Sequence, residues 1–157
     1  MSDITSVDSL IGFMAQAPSP YHVVDWISDY LIQYGFEQVS ERDSWIIEPG
    51  KKQFCIRGGK SIIAWITGDA PVATAGFRIV GAHTDSPALR PRTDSFQTIA
   101  GLKVLDTSIY GSPIPQTWLD RDLGVAGAIG VRGAEAPRLF ATSKPMLRSS
   151  TVAIHLD

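Results

Sequence analysis

Residues 77–87 have the sequence Phe-Arg-Ile-Val-Gly-Ala-His-Thr-Asp-Ser-Pro, and this stretch decides the predicted fold. An apolar run rich in β-branched residues, closed by a glycine and then by a Ser-Pro pair, predicts a buried β-strand that ends at a histidine and a carboxylate. Because residues i and i+2 of an extended segment point to the same side, we expect His83 and Asp85 to face one spot. This pattern suits a metal ligand, His83, whose second ring nitrogen is held by Asp85.

The tripeptide His-x-Asp alone leaves a structural role open. Asp85 can instead accept hydrogen bonds from backbone N–H groups ahead of Pro87 and so cap a turn. A motif of three residues arises often by chance, and spacing alone does not separate the two interpretations.

Composition narrows the class of protein. The 157 residues are 44% hydrophobic and 19% charged, with a net charge of −2, so no basic surplus points to nucleic acid. No segment approaches the length of about 18 apolar residues that a membrane helix needs. The single cysteine, Cys55, excludes an intrachain disulfide and a cysteine-based zinc cluster, and we expect it to be a buried hydrophobic residue. A cytoplasmic protein is predicted.

The first half of the chain predicts two helices followed by strands. Apolar residues recur at helical spacing from Val7 to Met14, and again in a segment that Pro20 opens and Gly35 closes. Residues 53–57 and 61–66 predict a hairpin, with the second arm apolar enough to be buried on both faces, and residues 44–47 predict a further strand. Helices laid against such strands indicate an α/β architecture.

After Pro91 the sequence changes to short strand-like segments separated by glycine and proline turns. These segments are residues 102–105, 107–110, 125–131, 138–142 and 152–156. Their spacing predicts a small antiparallel β module. We therefore expect one domain over residues 1–92 and a second over residues 93–157.

Three strings together resemble the M18 metallopeptidases, the aspartyl aminopeptidase family. Residues 81–87 (GAHTDSP) are the first string and resemble its first metal-ligand motif. Outside the three strings, residues 19–22 (SPYH) also resemble a turn near the start of M18 chains. Residues 117–123 (TWLDRDL) resemble the segment that begins its inserted β domain, although Leu119 replaces an aromatic residue and Ala128 an arginine that is common there. On spacing alone, residues 117–123 fit either a structural ion-pair cluster or a site in which Arg121 recognises a carboxylate.

His155 lies in the third string, residues 151–157 (TVAIHLD). A histidine within a β-branched run is by default a residue of a sheet. The M18 resemblance implies instead that His155 ligates zinc or reaches toward the active site of a neighbouring subunit.

The resemblance implies a fold and a function. Residues 1–92 would begin a zinc-peptidase α/β domain, and residues 93–157 would begin an inserted antiparallel β domain. The implied activity is zinc-dependent removal of N-terminal, preferably acidic, residues from peptides by a homo-oligomeric enzyme with a two-metal site. Further metal ligands and a general base have no visible candidates, so we expect the N-terminal third or so of such an enzyme, inactive alone. A non-catalytic assembly module, or another two-metal hydrolase such as a carboxypeptidase or deacylase, are the alternatives.

Overall fold

The computed structural model describes residues 6–151, which contain both helices and strands. In chain order the elements are α1 (Val7–Gln16), α2 (Pro20–Gln33), β1 (Glu37–Gln38), β2 (Lys52–Arg57), β3 (Ser61–Ile66), α3 (Val72–Ala75), β4 (Ala88–Ile99), β5 (Leu102–Tyr110), β6 (Asp122–Leu123), β7 (Ala126–Ile129), β8 (Arg138–Ala141) and β9 (Leu147–Arg148). A short 3₁₀ turn covers Pro115–Thr117. The mixture of helices and strands confirms the predicted α/β class.

The two predicted helices form where their capping residues place them. Ser6 caps α1, its hydroxyl accepting a hydrogen bond from the Ser9 backbone N–H, and Ser19 caps α2 ahead of Pro20. Gly35 follows α2 with a φ of 79°, a conformation that glycine adopts without steric cost. An edge-to-face contact between Phe13 and Trp26, with ring centroids 4.8 Å apart, joins α1 to α2.

A three-stranded sheet of order β1-β2-β3 lies in the first of two compact units, which contains residues 6–85 together with Ala126–Ala141. The central strand β2 is parallel to β1 and antiparallel to β3. The consecutive residues Phe54 and Cys55 of β2 point to opposite faces of the sheet and are both buried, so β2 is covered on both faces at this position. The hairpin and the burial of Cys55 are confirmed.

Two strand predictions in this region are wrong. The second hairpin arm, β3, is not buried on both faces, since Ile63 and Ile66 are exposed; β3 lies at the sheet edge and pairs with a single strand among the described residues. Residues 44–47 do not form a strand. Trp45 instead stacks on Trp65, with ring centroids 4.9 Å apart. The apolar ring thus packs against another side chain although its backbone is not paired in a sheet.

The predicted buried strand at residues 77–82 is also not formed. These residues form neither a helix nor a strand, and their apolar side chains are exposed, Val80 to 98%. Within residues 6–151 no backbone–backbone hydrogen bond joins residues 77–87 to another segment. β-Branched and aromatic side chains favour a position on a pleated sheet, but a strand forms only where a neighbouring backbone can pair with it.

The second compact unit contains Ser86–Val125 together with residues 142–151. Its largest element is the antiparallel hairpin β4–β5, whose register shifts between Pro91 and Phe96. Strands β6 and β9 form a second antiparallel pair. Strand β4 runs through residues 92 and 93, where the sequence predicts a domain boundary, and the division into 1–92 and 93–157 stays a prediction. The antiparallel pair β7–β8 groups with the first unit.

Candidate metal-binding site

His83 and Asp85 lie together in the first unit. The imidazole Nδ1 is 2.6 Å from the backbone carbonyl oxygen of Asp85 and 3.6 Å from its carboxylate Oδ1. The side chain of His83 is 80% exposed and that of Asp85 is 42% exposed. The i, i+2 spacing therefore brings the two residues into contact, although the short hydrogen bond goes to the main chain and the carboxylate lies farther away.

This contact determines the tautomer of His83. A carbonyl oxygen only accepts hydrogen bonds, so at 2.6 Å the Nδ1 atom must donate its hydrogen. In the neutral ring Nε2 then has the lone pair, which is the form in which imidazole binds a divalent metal ion. His83 thus fits the chemistry of a zinc ligand.

Other metal ligands are not assembled around His83. Within residues 6–151, no three His, Cys, Asp or Glu side chains converge closely enough to hold a metal ion. His155 lies outside the described residues. The described chain therefore offers one oriented donor, and the roles of His83, Asp85 and His155 stay predictions.

Thr84 connects this segment to the sheet. Its hydroxyl donates a hydrogen bond of 2.7 Å to the backbone carbonyl of Lys60, in the turn between β2 and β3. The sequence analysis missed this contact, because the partners are 24 residues apart and no local pattern relates them.

Asp120, in the TWLDRDL string, is the centre of a cluster in the second unit. Its two carboxylate oxygens accept hydrogen bonds from the hydroxyl of Thr151 at 2.6 Å and from its backbone N–H at 3.3 Å. Arg148 donates to the Asp120 carbonyl at 3.1 Å and lies 3.5 Å from the carboxylate of Asp122. The structural interpretation of the string is favoured, with Arg148 as the cation of the cluster.

The cluster predicts an acid-dependent loss of stability. Hydrogen bonds from Thr151, and the charge of Arg148, hold the pKa of the Asp120 carboxyl below its ordinary value of 3.8. Since the folded pKa is the lower one, the stabilisation is complete well above pH 3.8 and is lost as the pH falls through the folded value. Asp120→Asn should flatten this acid dependence in urea unfolding measured from about pH 5 to about pH 2.

Thr151→Val is the companion variant, since it removes the hydroxyl donor and keeps the carboxylate. It should remove part of the same acid dependence. Parallel curves for wild type and Asp120→Asn below pH 3.8 would show that this carboxylate does not couple protonation to folding.

Three arginines that could recognise a carboxylate, Arg90, Arg92 and Arg121, all have local partners. The Arg90 guanidinium carbon lies 3.3 Å from the centroid of the Tyr110 ring, and Arg92 Nε lies 3.6 Å from Asp106 Oδ2. Arg121 donates a hydrogen bond to the Thr117 carbonyl at 3.4 Å. These contacts give no single arginine a clear advantage as a substrate-binding residue.

An open depression of about 590 Å³ lies elsewhere in the first unit. Residues 38–43 and 56–58 line it, and neither His83 nor Asp85 is among them. Within it Arg57 forms a forked ion pair with Glu41, with Nε 2.9 Å from Oε1. The hydrogen bond from Arg57 lowers the pKa of Glu41, so the carboxylate stays paired and charged at neutral pH.

The contacts of His22 and the burial of Cys55 indicate structural roles for both residues. His22 Nδ1 lies 2.7 Å from the hydroxyl of Ser19, the residue that caps α2, as expected of a histidine in the first helical turn. Burial raises the pKa of the Cys55 thiol, which therefore stays protonated and unreactive at neutral pH.

No helix in the described part of the chain is long and apolar enough to cross a membrane.

Comparison with known proteins identifies the family. The family model of the aminopeptidase I zinc metalloproteases (M18) matches residues 13–157. The chain belongs to the M18 family. This confirms the resemblance that the three strings indicate.

Relatives and solved structures of the M18 family agree with this assignment. A probable M18 family aminopeptidase 2 from Streptomyces avermitilis is 45% identical over 96% of the chain and 34% of its own length. A probable aspartyl aminopeptidase from Ricinus communis is 40% identical over 97% of the chain and 32% of its own length. The S. cerevisiae mApe1 dodecamer matches 94% of the chain and 36% of its own with a TM-score of 0.83 and 30% identity. The chain thus spans about a third of the curated M18 relatives that it matches.

Proposed function

We propose that this chain forms part of the active site of a zinc-dependent aminopeptidase in which His83 ligates zinc. The main support is the hydrogen bond of 2.6 Å from Nδ1 to the Asp85 carbonyl, which leaves Nε2 of an exposed ring as the metal-binding atom. The family description as zinc metalloproteases supports the choice of metal.

In this proposal, His83 would bind the metal ion and Asp85 would orient the imidazole ring of His83. A bound zinc ion would polarise the peptide carbonyl and lower the pKa of a water molecule. Asp85 orients the ring through its carbonyl, and its carboxylate, 3.6 Å from Nδ1, stabilises positive charge that develops on the imidazole. The other ligands of the proposed two-metal site and the general base would come from regions of M18 chains that this sequence does not span.

The proposed substrates are peptides with a free amine and an acidic N-terminal residue. The Ricinus communis relative, a probable aspartyl aminopeptidase, supports this preference. Recognition of an acidic side chain requires a cation, for which Arg90, Arg92 and Arg121 remain candidates.

Homo-oligomeric assembly and a cytoplasmic location are also proposed. The dodecameric mApe1 structure supports assembly. In such an assembly His155 would either ligate zinc or reach the site of a neighbouring subunit. A single cysteine, buried as a thiol, is compatible with a reducing cytoplasm.

A chimera tests the activity. In it, this chain replaces the matching third of the Streptomyces avermitilis relative, to which it is 45% identical. The chimera should release N-terminal Asp or Glu from peptides faster than N-terminal Ala, lose this activity with a chelator, and regain it with zinc. N-acetylated peptides should not be cleaved.

The unmodified Streptomyces avermitilis relative, assayed in parallel, is the reference for the chimera. Equal cleavage of N-acetylated peptides would favour a carboxypeptidase or deacylase. A folded chimera that self-associates without binding zinc would favour an assembly module.

A further inference from the structure

The position of His83 needs an explanation beyond sheet pairing. Within residues 6–151, residues 77–87 form no backbone–backbone hydrogen bond with another segment. Contacts of its side chains therefore help to fix the direction in which His83 points. If the ring pointed in several directions, only a fraction of the molecules would be ready to bind the ion.

Thr84 provides a fixed point directly beside His83. Its hydroxyl donates a hydrogen bond of 2.7 Å to the Lys60 carbonyl, which belongs to a different part of the first unit. The bond attaches the backbone between His83 and Asp85, while these two residues contact each other through Nδ1 and the carbonyl oxygen. One bond therefore restrains the ligand and its orienting residue together.

The accepting turn is itself well defined. Gly58 and Gly59 have φ values of 59° and 68°, and the backbone N–H of Lys60 donates to the Arg57 carbonyl at 3.3 Å. The adjoining strands are paired from Arg57 opposite Ser61 onward. The carbonyl that Thr84 uses is thus part of a hairpin whose register is fixed.

Tyr21, in the first turn of α2, supports the turn from outside. A Cβ atom on Gly59 would lie 3.3 Å from Cδ1 of Tyr21, so the ring is close against this glycine. The Lys60 ammonium lies 5.8 Å from the centroid of the same ring. The capped start of α2, the hairpin turn and the His83 segment therefore form a connected series.

We propose that Thr84 is a positioning residue for zinc, which holds the His83 segment on the β2–β3 turn and fixes the direction of the imidazole. This role rests on the proposed function, in which His83 is the ligand. Loss of the hydroxyl should weaken zinc binding about tenfold to a hundredfold, as for other groups that orient metal ligands without touching the metal.

Thr84→Val and Thr84→Ser separate the hydroxyl from the shape of the side chain. Thr74→Val is the matched control, since the Thr74 hydroxyl also donates to a backbone carbonyl, that of Pro71 at 2.9 Å, at the start of α3. Backbone NMR relaxation of the 157-residue chain should give His83 an order parameter near 0.85 in wild type and below about 0.6 in Thr84→Val. Thr84→Ser should restore the order, and Thr74→Val should leave it unchanged.

Zinc alone is then titrated into the chimera and its variants by competition with a chelating dye. Thr84→Val should raise the Kd for zinc by about tenfold to a hundredfold and lower kcat more than it changes KM. Thr84→Ser should recover most of the affinity. An equal effect of Thr84→Val and Thr74→Val on either measurement would overturn the positioning role.

A mobile His83 with unchanged zinc affinity in Thr84→Val would overturn it as well. Failure of the proposed function has a different signature. In that case His83→Ala itself would leave the zinc affinity of the chimera unchanged, whatever Thr84→Val does to the order of the segment.

Discussion

His83→Ala in the chimera is expected to lower kcat/KM for release of N-terminal Asp by about a thousandfold, since a metal ion contributes several kcal/mol to transition-state stabilisation. The same variant should lose one equivalent of tightly bound zinc. Both effects follow from the orientation of the ring, whose Nδ1 donates to the Asp85 carbonyl and whose Nε2 is the proposed metal-binding atom. Steady-state kinetics and metal analysis of the purified proteins measure the two effects.

His22→Ala is the matched histidine control. Its imidazole contacts Ser19 at the start of α2, so its loss should affect helix capping and leave zinc content and kcat/KM unchanged. Full zinc content in His83→Ala would remove His83 from the metal site. Equal losses in both variants would indicate a general folding defect.

Phe54→Ala is expected to lower the free energy of unfolding of the first unit by about 3–5 kcal/mol. Phe54 is 0% exposed and lies on the central strand β2, between Gln38 of β1 and Ala64 of β3. Among residues 6–151, Val24 and Cys55 are the other buried apolar residues, so few contacts can compensate for the cavity. Urea unfolding, followed by tryptophan fluorescence, measures the change.

Phe96→Ala removes the same side chain from an exposed position. Phe96 is 79% exposed on β4, and its replacement should change stability by no more than about 0.5 kcal/mol. Similar destabilisation by both variants would contradict a core centred on β2. A changed urea dependence, without a changed midpoint, would instead point to an altered unfolded state.

The sequence predicts the local elements of this fold well. Pro20 and Gly35 mark the beginning and the end of α2 because their effects act within one helical turn. The hairpin follows in the same way from a glycine pair between apolar runs.

Contacts between distant segments are not predictable from such patterns. The apolar run at residues 77–82 predicts a strand, yet strand formation depends on a neighbour that composition does not specify. The predicted burial of β3 fails for a similar reason, because composition does not specify which element covers the faces of a strand, and Ile63 and Ile66 are exposed.

The candidate site shows the same limit. The i, i+2 spacing correctly places His83 beside Asp85, but it does not indicate that the carbonyl is closer than the carboxylate. Thr84 meets Lys60 across 24 residues, and Asp120 meets Thr151 across 31. Such pairs depend on the path of the whole chain, so a local motif can indicate a candidate ligand without indicating the residues that hold it in place.

Residues 77–80 form no backbone–backbone hydrogen bond with another segment of residues 6–151, so their backbone is open to pairing with a strand of the same polypeptide or of a separate copy. A segment of the same polypeptide meets this edge at an effective concentration of about millimolar, whatever the dilution. Separate copies meet it at a rate that rises with the square of their concentration. Covalent continuity therefore favours a strand of the same polypeptide over a strand of a separate copy as a pairing partner for this backbone.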